Sequence, residues 1–206
     1  MPSHHSVIAD LAARLLPEAP EHRGELVPDW EPLQPFNRPP VPAAVLIALV
    51  QRPEGHTVLY TERSPDLRAH SGQVAFPGGK VDSEDADVAA AALREAYEEV
   101  GMVAEEARVL GYMPTYYTGT NYLITPVVAE VHPSGPFVPN PGEVHSVFEV
   151  PLSRILDHKS YGRFRISRNG AERSTWQIDH EGHTIWGITA NLTRQFRDLA
   201  LGEVAA

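Results

Sequence analysis

The sequence predicts an α/β (α+β) architecture in which a mixed β-sheet is sandwiched between helices, an α/β/α layering. Three observations carry that prediction. A dense apolar run, Ala43–Val50, has the length of a buried strand, and further strand-like runs follow it. Helix-period patterns stand at only three places: near the N-terminus, over Asp87–Val100 and close to the C-terminus. Strands and helices also follow one another without the regular alternation of a doubly wound fold.

Along the chain, Ile8, Leu11, Ala12, Leu15 and Leu16 recur at helical spacing and predict a short amphipathic helix. Eight prolines between Pro17 and Pro42 then forbid continuous helix or a central strand. This stretch reads either as an extended arm anchored by Trp30, Leu33 and Phe36, or as a loose linker. Residues 1–42 are accordingly set apart as an N-terminal helix and proline-rich arm, and 43–206 as the globular domain. Within the latter, Ala43–Val50 and His56–Arg63 pair through the turn at Arg52–Gly55, and Gln73–Phe76 is a short strand ended by Pro77-Gly78-Gly79. Asp87–Val100 is helical, with Gly101 as its stop signal. Further strands are expected near Ala107–Met113, Tyr122–Val131, His145–Val150 and Arg173–Ile178, and a last helix over Thr189–Leu201.

Composition narrows the function classes. A formal net charge of −10 argues against a general nucleic-acid binder, which needs a basic footprint for the phosphates. A small phosphorylated substrate remains compatible with it, because a metal ion and a few placed cations hold one anion in an acidic protein. There is no cysteine, so disulfides and thiolate metal sites are excluded. The N-terminus lacks the basic start and unbroken apolar stretch of a signal peptide, and no run reaches the roughly 20 apolar residues that span a bilayer. The reading is a cytoplasmic protein with no membrane and no nucleic-acid partner. Oligomeric state is left open, a homodimer included.

The segment richest in chemistry is Arg94-Glu95-Ala96-Tyr97-Glu98-Glu99-Val100-Gly101. On a helical wheel Glu95, Glu98 and Glu99 fall within an arc of roughly 100°, while Ala89, Leu93, Ala96, Tyr97 and Val100 cluster opposite. Like charges at such spacing destabilise a helix by roughly 0.2–0.5 kcal/mol per pair. A solvated acidic face is one explanation; a hard divalent cation with oxygen ligands is the other. Context favours the second. Gly78-Gly79-Lys80-Val81-Asp82 precedes the helix, a turn where the backbone can approach a ligand closely, and Asp82, Ser83 and Asp85 offer helix-start chemistry. No P-loop and no dinucleotide-binding glycine pattern is present.

Gly79 and Arg94-Glu95-Ala96-Tyr97-Glu98-Glu99-Val100-Gly101-Met102 resemble the two ends of the Nudix signature. The gap between them is one residue longer than in the generic box, and Asp85 stands near the usual glutamate. Both departures match the coenzyme A pyrophosphatase branch of the family. Upstream, the stretch from Leu59 to Gly79 is similar to that branch's own pattern: Leu-Leu-Thr-x-Arg-Ser, three residues, Arg, three residues, Gly, three residues, Phe-Pro-Gly-Gly. Only Tyr60 departs from it. The resemblance spans roughly Ala43–Leu201 and implies a Nudix fold and Mg²⁺- or Mn²⁺-dependent hydrolysis of coenzyme A. The products would be adenosine 3′,5′-bisphosphate and 4′-phosphopantetheine. Another nucleoside diphosphate derivative, or a catalytically silent nucleotide sensor, are the alternatives.

The resemblance further implies that Glu95 and Glu99 ligate the metal beside Gly79, with Glu98 at the same cluster. A carboxylate takes the proton of the attacking water: Glu98, or Glu143 in the later Pro141-Gly142-Glu143-Val144 loop. Arg63 and Arg68, with forked guanidinium groups suited to phosphate oxygens, are candidate substrate contacts, or else structural ion pairs. Lys80 is a third candidate, a plain surface lysine being the alternative. Arg94 is read as structural support for the metal carboxylates. His180-x-x-His183 reads as a hairpin turn rather than a metal pair. Tyr116, Tyr117 and Tyr122 are either adenine-stacking rings or packing, and Trp186 fills the core.

Overall fold

The computed structural model describes residues 4–21, 26–29, 36–66, 72–168 and 171–203. In chain order the first elements are α1 (His4–Ala12), β1 (Val41–Arg52), β2 (Gly55–Arg63), β3 (Val74–Ala75), β4 (Gly78–Lys80) and α2 (Val88–Val100). β5 (Ala107–Tyr112), β6 (Tyr116–Tyr117), β7 (Tyr122–Val131), β8 (Val144–Pro151) and α3 (Leu152–Ile155) follow. The chain ends with β9 (Tyr161–Arg168), β10 (Ala171–His180), β11 (His183–Trp186) and α4 (Gly187–Leu201).

The main sheet runs β3-β2-β1-β7-β5, with β4 on β1, β6 on β7 and β8 on β2. It is mixed: β1 and β7 lie parallel, from Val41 opposite Tyr122 to Val50 opposite Val131, and the other pairs are antiparallel. A strand covered on both faces reads as a continuous apolar run, which is why β1 shows so little polar alternation. Its side chains still alternate. Ala44, Leu46, Ala48 and Val50 enter the core under α2, whereas Ile47 and Leu49 enter the core on the other face. That second core holds Ile8 and Leu11 of α1, Leu192 and Phe196 of α4, and Ile178 and Ile185 of the small antiparallel sheet β11-β10-β9. Among the described residues no helix is long and apolar enough to cross a membrane.

Helix α2 positions the chemistry. Asp87 caps it by accepting a 2.8 Å bond from the Ala90 N–H, and Gly101 ends it in the left-handed region at φ 70°. The cap is therefore Asp87, and not the Asp82, Ser83 or Asp85 expected from the sequence. Ala89, Ala91, Ala92, Ala96 and Val100 are buried against the sheet, small side chains that bring the helix backbone close to it. Tyr97, expected with this buried face, instead stands 60% exposed.

The two ends of the proline-rich stretch differ from the simple arm-or-linker choice. Leu15 is buried and Leu16 bridges to Tyr112. Asp29 accepts bonds from the Tyr116 hydroxyl and the Gly119 N–H, each 2.8 Å, and donates its own N–H to the Tyr117 carbonyl. Trp30 and Leu33 lie outside the described residues, and Phe36 is exposed.

Candidate active site

Four segments meet near the start of β1. They are the end of β2, carrying Arg63; the glycine strand β4; the C-terminal half of α2; and the turn before β8, carrying Glu143. β4 pairs with β1 so that Gly79 lies opposite Ala44 and Gly78 opposite Val45. At Gly78 the register demands glycine, because a side chain would meet the β1 backbone; at Gly79 it would displace the Glu95 carboxylate. A Cβ on Gly79 would stand 2.6 Å from Glu95 Oε2, and one on Gly78 2.7 Å from Val45 Cα. Glu95 thus lays its carboxylate on bare backbone.

The three helix carboxylates occupy different depths. Glu99 is 3% exposed. Burial pushes its carboxyl up to about 8; Arg63 opposes this, Glu95 and Glu143 add to it, and the Gly78 N–H opposes it again. Glu95 is half-buried and also raised, mainly by burial, with Arg94 pulling down and Glu98 and Glu143 pushing up. Glu98 is exposed. Glu143, far away in sequence, is close enough to perturb both Glu95 and Glu99.

The cations are arranged unequally around these acids. Arg63 Nη1 lies 3.8 Å from Glu99 Oε1, but the buried Arg63 Nε and Glu99 Oε2 have no hydrogen-bond partner among the described residues. Arg94 is fully engaged. Its Nε and Nη2 grip Asp85 at 2.9 and 3.1 Å, Nη2 also donates to the Lys80 carbonyl, and Nη1 reaches Glu95 at 3.0 Å and Glu98 at 3.4 Å. The hydrogen bonds from Arg94 and from the Asp82 N–H hold Asp85 below the usual carboxylate range. Arg94 thereby ties the loop after β4 to the acidic face of α2. Among the described residues no three acidic or histidine side chains are drawn around one point.

The remaining candidates fall elsewhere. Lys80 is exposed, and Arg68 lies outside the described residues. His180 and His183 flank the Glu181-Gly182 turn between β10 and β11, as expected. His183 stacks on Phe148 at 3.9 Å and sits 3.3 Å from Glu62. Tyr116 is buried, its hydroxyl donating to Asp29 and accepting from Asn191, and Tyr117 donates to Asn121, so neither hydroxyl is free. Trp186 stacks on Phe164. Sequence reasoning overlooked Asn140, although Pro139-Asn140-Pro141-Gly142 announces a turn.

Known proteins resemble this chain over most of its length. The NUDIX domain family profile matches residues 40–168. The chain is 44% identical over 163 residues to an uncharacterized Nudix hydrolase NudL of Shigella flexneri serotype 5b (strain 8401), covering 78% of this chain and 84% of that one. It is 43% identical over 153 residues to the NudL of Salmonella paratyphi B (strain ATCC BAA-1250 / SPB7), covering 74% and 79%. A crystal structure of a MutT/nudix family protein from Enterococcus faecalis shares the fold, with a TM-score of 0.50 at 15% identity over 82% of this chain and 70% of that one.

Proposed function

This chain belongs to the Nudix hydrolase family and is a pyrophosphohydrolase acting on nucleoside diphosphate derivatives; on that premise we propose that its substrate is coenzyme A. The products are then adenosine 3′,5′-bisphosphate and 4′-phosphopantetheine. The catalytic domain is taken as 43–206, with 1–42 as an N-terminal helix and proline-rich arm, and the protein as cytoplasmic.

The observation that supports hydrolysis at this site is the buried Glu99, with one unpartnered oxygen, beside Glu95 on the bare backbone of Gly79. Two acids raised by burial and by neighbouring carboxylates are short of positive charge. An all-carboxylate donor set suits a hard cation, so Mg²⁺ or Mn²⁺ fits, with Glu95, Glu99 and Glu98 as its holders beside Gly79. Bound there, the ion supplies polarisation of the diphosphate and neutralisation of developing charge.

The chain's own residues supply the rest. Arg63, with its Nε uncommitted, binds a diphosphate oxygen, and Arg68 and Lys80 add charge for the substrate's other phosphates. Arg94, already saturated by Asp85, Glu95, Glu98 and the Lys80 carbonyl, orients the carboxylates. Glu143 accepts the proton of the attacking water, with Glu98 as the other group able to do so. The choice of coenzyme A rests on the Leu59–Gly79 segment.

Steady-state kinetics with coenzyme A, dephospho-coenzyme A, ADP-ribose and a nucleoside triphosphate test the reading on wild type, Arg63→Ala and Arg68→Ala. Wild type should prefer coenzyme A, and a chelator should abolish turnover of all four until Mg²⁺ or Mn²⁺ is restored. One charge-assisted bond to the 3′-phosphate contributes about 1.5–3 kcal/mol, which is roughly ten- to hundredfold in kcat/KM. At least one arginine variant should narrow the preference over dephospho-coenzyme A by that factor. A wild type that works better on ADP-ribose or the triphosphate rejects coenzyme A as the substrate and leaves the diphosphatase standing.

A further inference from the structure

The C-terminal end of α2 has backbone carbonyls that no residue of the helix can satisfy. The closing turn uses two of them: Gly101 N–H donates to the Tyr97 carbonyl at 2.9 Å and Met102 N–H to that of Ala96 at 3.4 Å. The loop between β7 and β8 takes two more. Val138 N–H donates to the Val100 carbonyl and Asn140 N–H to the carbonyl of Glu99 itself, both at 2.9 Å. Phe137, lying under the Arg52 guanidinium at 5.7 Å, helps pin this loop to the core around α2.

Asn140 is the joint of this loop. Prolines on both sides lack an N–H, so Asn140 carries the single donor of the Pro139–Pro141 stretch. Its carbonyl accepts from Glu143 N–H at 3.0 Å and Val144 N–H at 2.8 Å. Its side-chain oxygen accepts from Gly142 N–H at 3.1 Å, an Asx-type closure of the turn. Beyond the turn, the Glu143 carbonyl accepts from Ser64 N–H at 2.9 Å, next to Arg63. Backbone of the Glu99 residue is thus joined to backbone of Glu143 through one side-chain-closed turn, and from there to β2.

We infer that Asn140 is a positioning residue, which sets the Glu143 carboxylate against Glu95 and Glu99 by closing the Asn140–Val144 turn onto the end of α2. The inference rests on Glu143 being the proton acceptor of the reaction. Asn140 itself is exposed, so shortening its side chain opens no cavity. What shortening removes is the side-chain bond to Gly142 that closes the turn, while the backbone bonds of Glu143 and Val144 to the Asn140 carbonyl remain.

The test compares Asn140→Ala, Asn140→Ser, Glu143→Gln and the Asn140→Ala/Glu143→Gln double variant, with Mg²⁺, on whichever diphosphate wild type cleaves fastest. Misplacing a catalytic group by about 1 Å costs on the order of a hundredfold, and a more modest rotation roughly tenfold. Asn140→Ala should lower kcat about tenfold with KM within about twofold and a melting temperature close to wild type. Asn140→Ser, whose hydroxyl closes such turns more weakly, should recover part of the loss. Glu143→Gln should lose roughly a hundredfold or more. The double variant should then be no slower than Glu143→Gln, because Asn140 has no carboxylate left to place. Wild-type kcat in Asn140→Ala beside a slow Glu143→Gln overturns the inference alone. Losses that multiply in the double variant also overturn it, since Asn140 would then act by another route. A fully active Glu143→Gln removes the proton-acceptor reading and the inference with it.

Discussion

Glu99 is an ionisable group in surroundings that oppose its ionisation, and that conflict is what distinguishes it from Glu98 one residue earlier. Glu98 meets solvent and the Arg94 guanidinium; Glu99 meets Gly78, two other acids and an arginine it does not fully engage. Glu99→Gln keeps the shape and deletes the charge. Since residues that merely support metal ligands already cost about ten- to hundredfold, this variant should lose at least on the order of a hundredfold in turnover. A melting curve within a few degrees of wild type should accompany the loss. Full metal-dependent activity in Glu99→Gln would remove it from the proposed ligand set. The helical wheel placed Glu95, Glu98 and Glu99 on one arc but carried no information about depth. Depth comes from the sheet: β4 passes directly beneath one side of α2, so Glu99 is sealed while Glu98 is open. For the same reason the wheel misplaced Tyr97. Four alanines already occupy the sheet contact, and no element covers the flank where the ring projects.

Elements with strong periodic or apolar character were readable before folding; those defined by their partners were not. β1, β2, β7, α2 and α4 have runs and end signals of their own. β4 is three residues of Gly-Gly-Lys, a strand solely because β1 offers it a ladder, and it reads as a loop in isolation. β6 is a two-residue strand set by its pairing with β7. β9 and β11 carry so many polar residues that their periodicity is faint. The N-terminal arm shows the same dependence on partners. Of the expected anchors Trp30 and Leu33 lie outside the described residues and Phe36 is exposed, while the Asp29 carboxylate and Asn121, whose amide donates to the carbonyls of Arg38 and Pro39, hold the described part of the arm. Removing residues 1–38 also strips Ile8, Leu11 and Leu15 from the core, at roughly 1.5–3 kcal/mol for each buried side chain. At about 2–4 °C per kcal/mol for a chain of this size, melting should fall by roughly 10–35 °C. Asp29→Ala, at an exposed position, should lower it by a few degrees. An unchanged melting curve for the truncated chain would make the arm a free linker.

Taken as a whole, the molecule carries a net −10, and a buried carboxylate stands near each end of β1, Glu99 at one and Glu130 at the other. Opposite the acidic centre, buried Glu130 contacts His56 at 3.0 Å, Arg108 at 2.6 Å and His132 at 3.6 Å. Burial alone would raise its carboxyl, but the bonds from Arg108 and His56 outweigh burial and hold it below the usual range. A depressed acid stabilises the fold above its unfolded value, and that contribution is lost as pH falls through the folded one. Glu130→Gln should therefore melt several degrees below wild type at pH 7, by roughly 1–3 kcal/mol, and the gap should close under acid. Melts of both proteins between pH 3 and 8 decide this, and a constant offset across the range would refute it. The pairings of β1 with β7 (parallel) and of β2 with β8 (antiparallel) join strands far apart in sequence, which has a consequence for synthesis. The ribosome completes α2, with all three of its carboxylates, long before β7 and β8 emerge to close the sheet. A nascent or prematurely released chain ending before the Pro141–Val144 turn lacks both Glu143 and β8, the strand that pairs with the end of β2. If Glu143 accepts the proton of the attacking water, competence to hydrolyse arrives with the last third of translation.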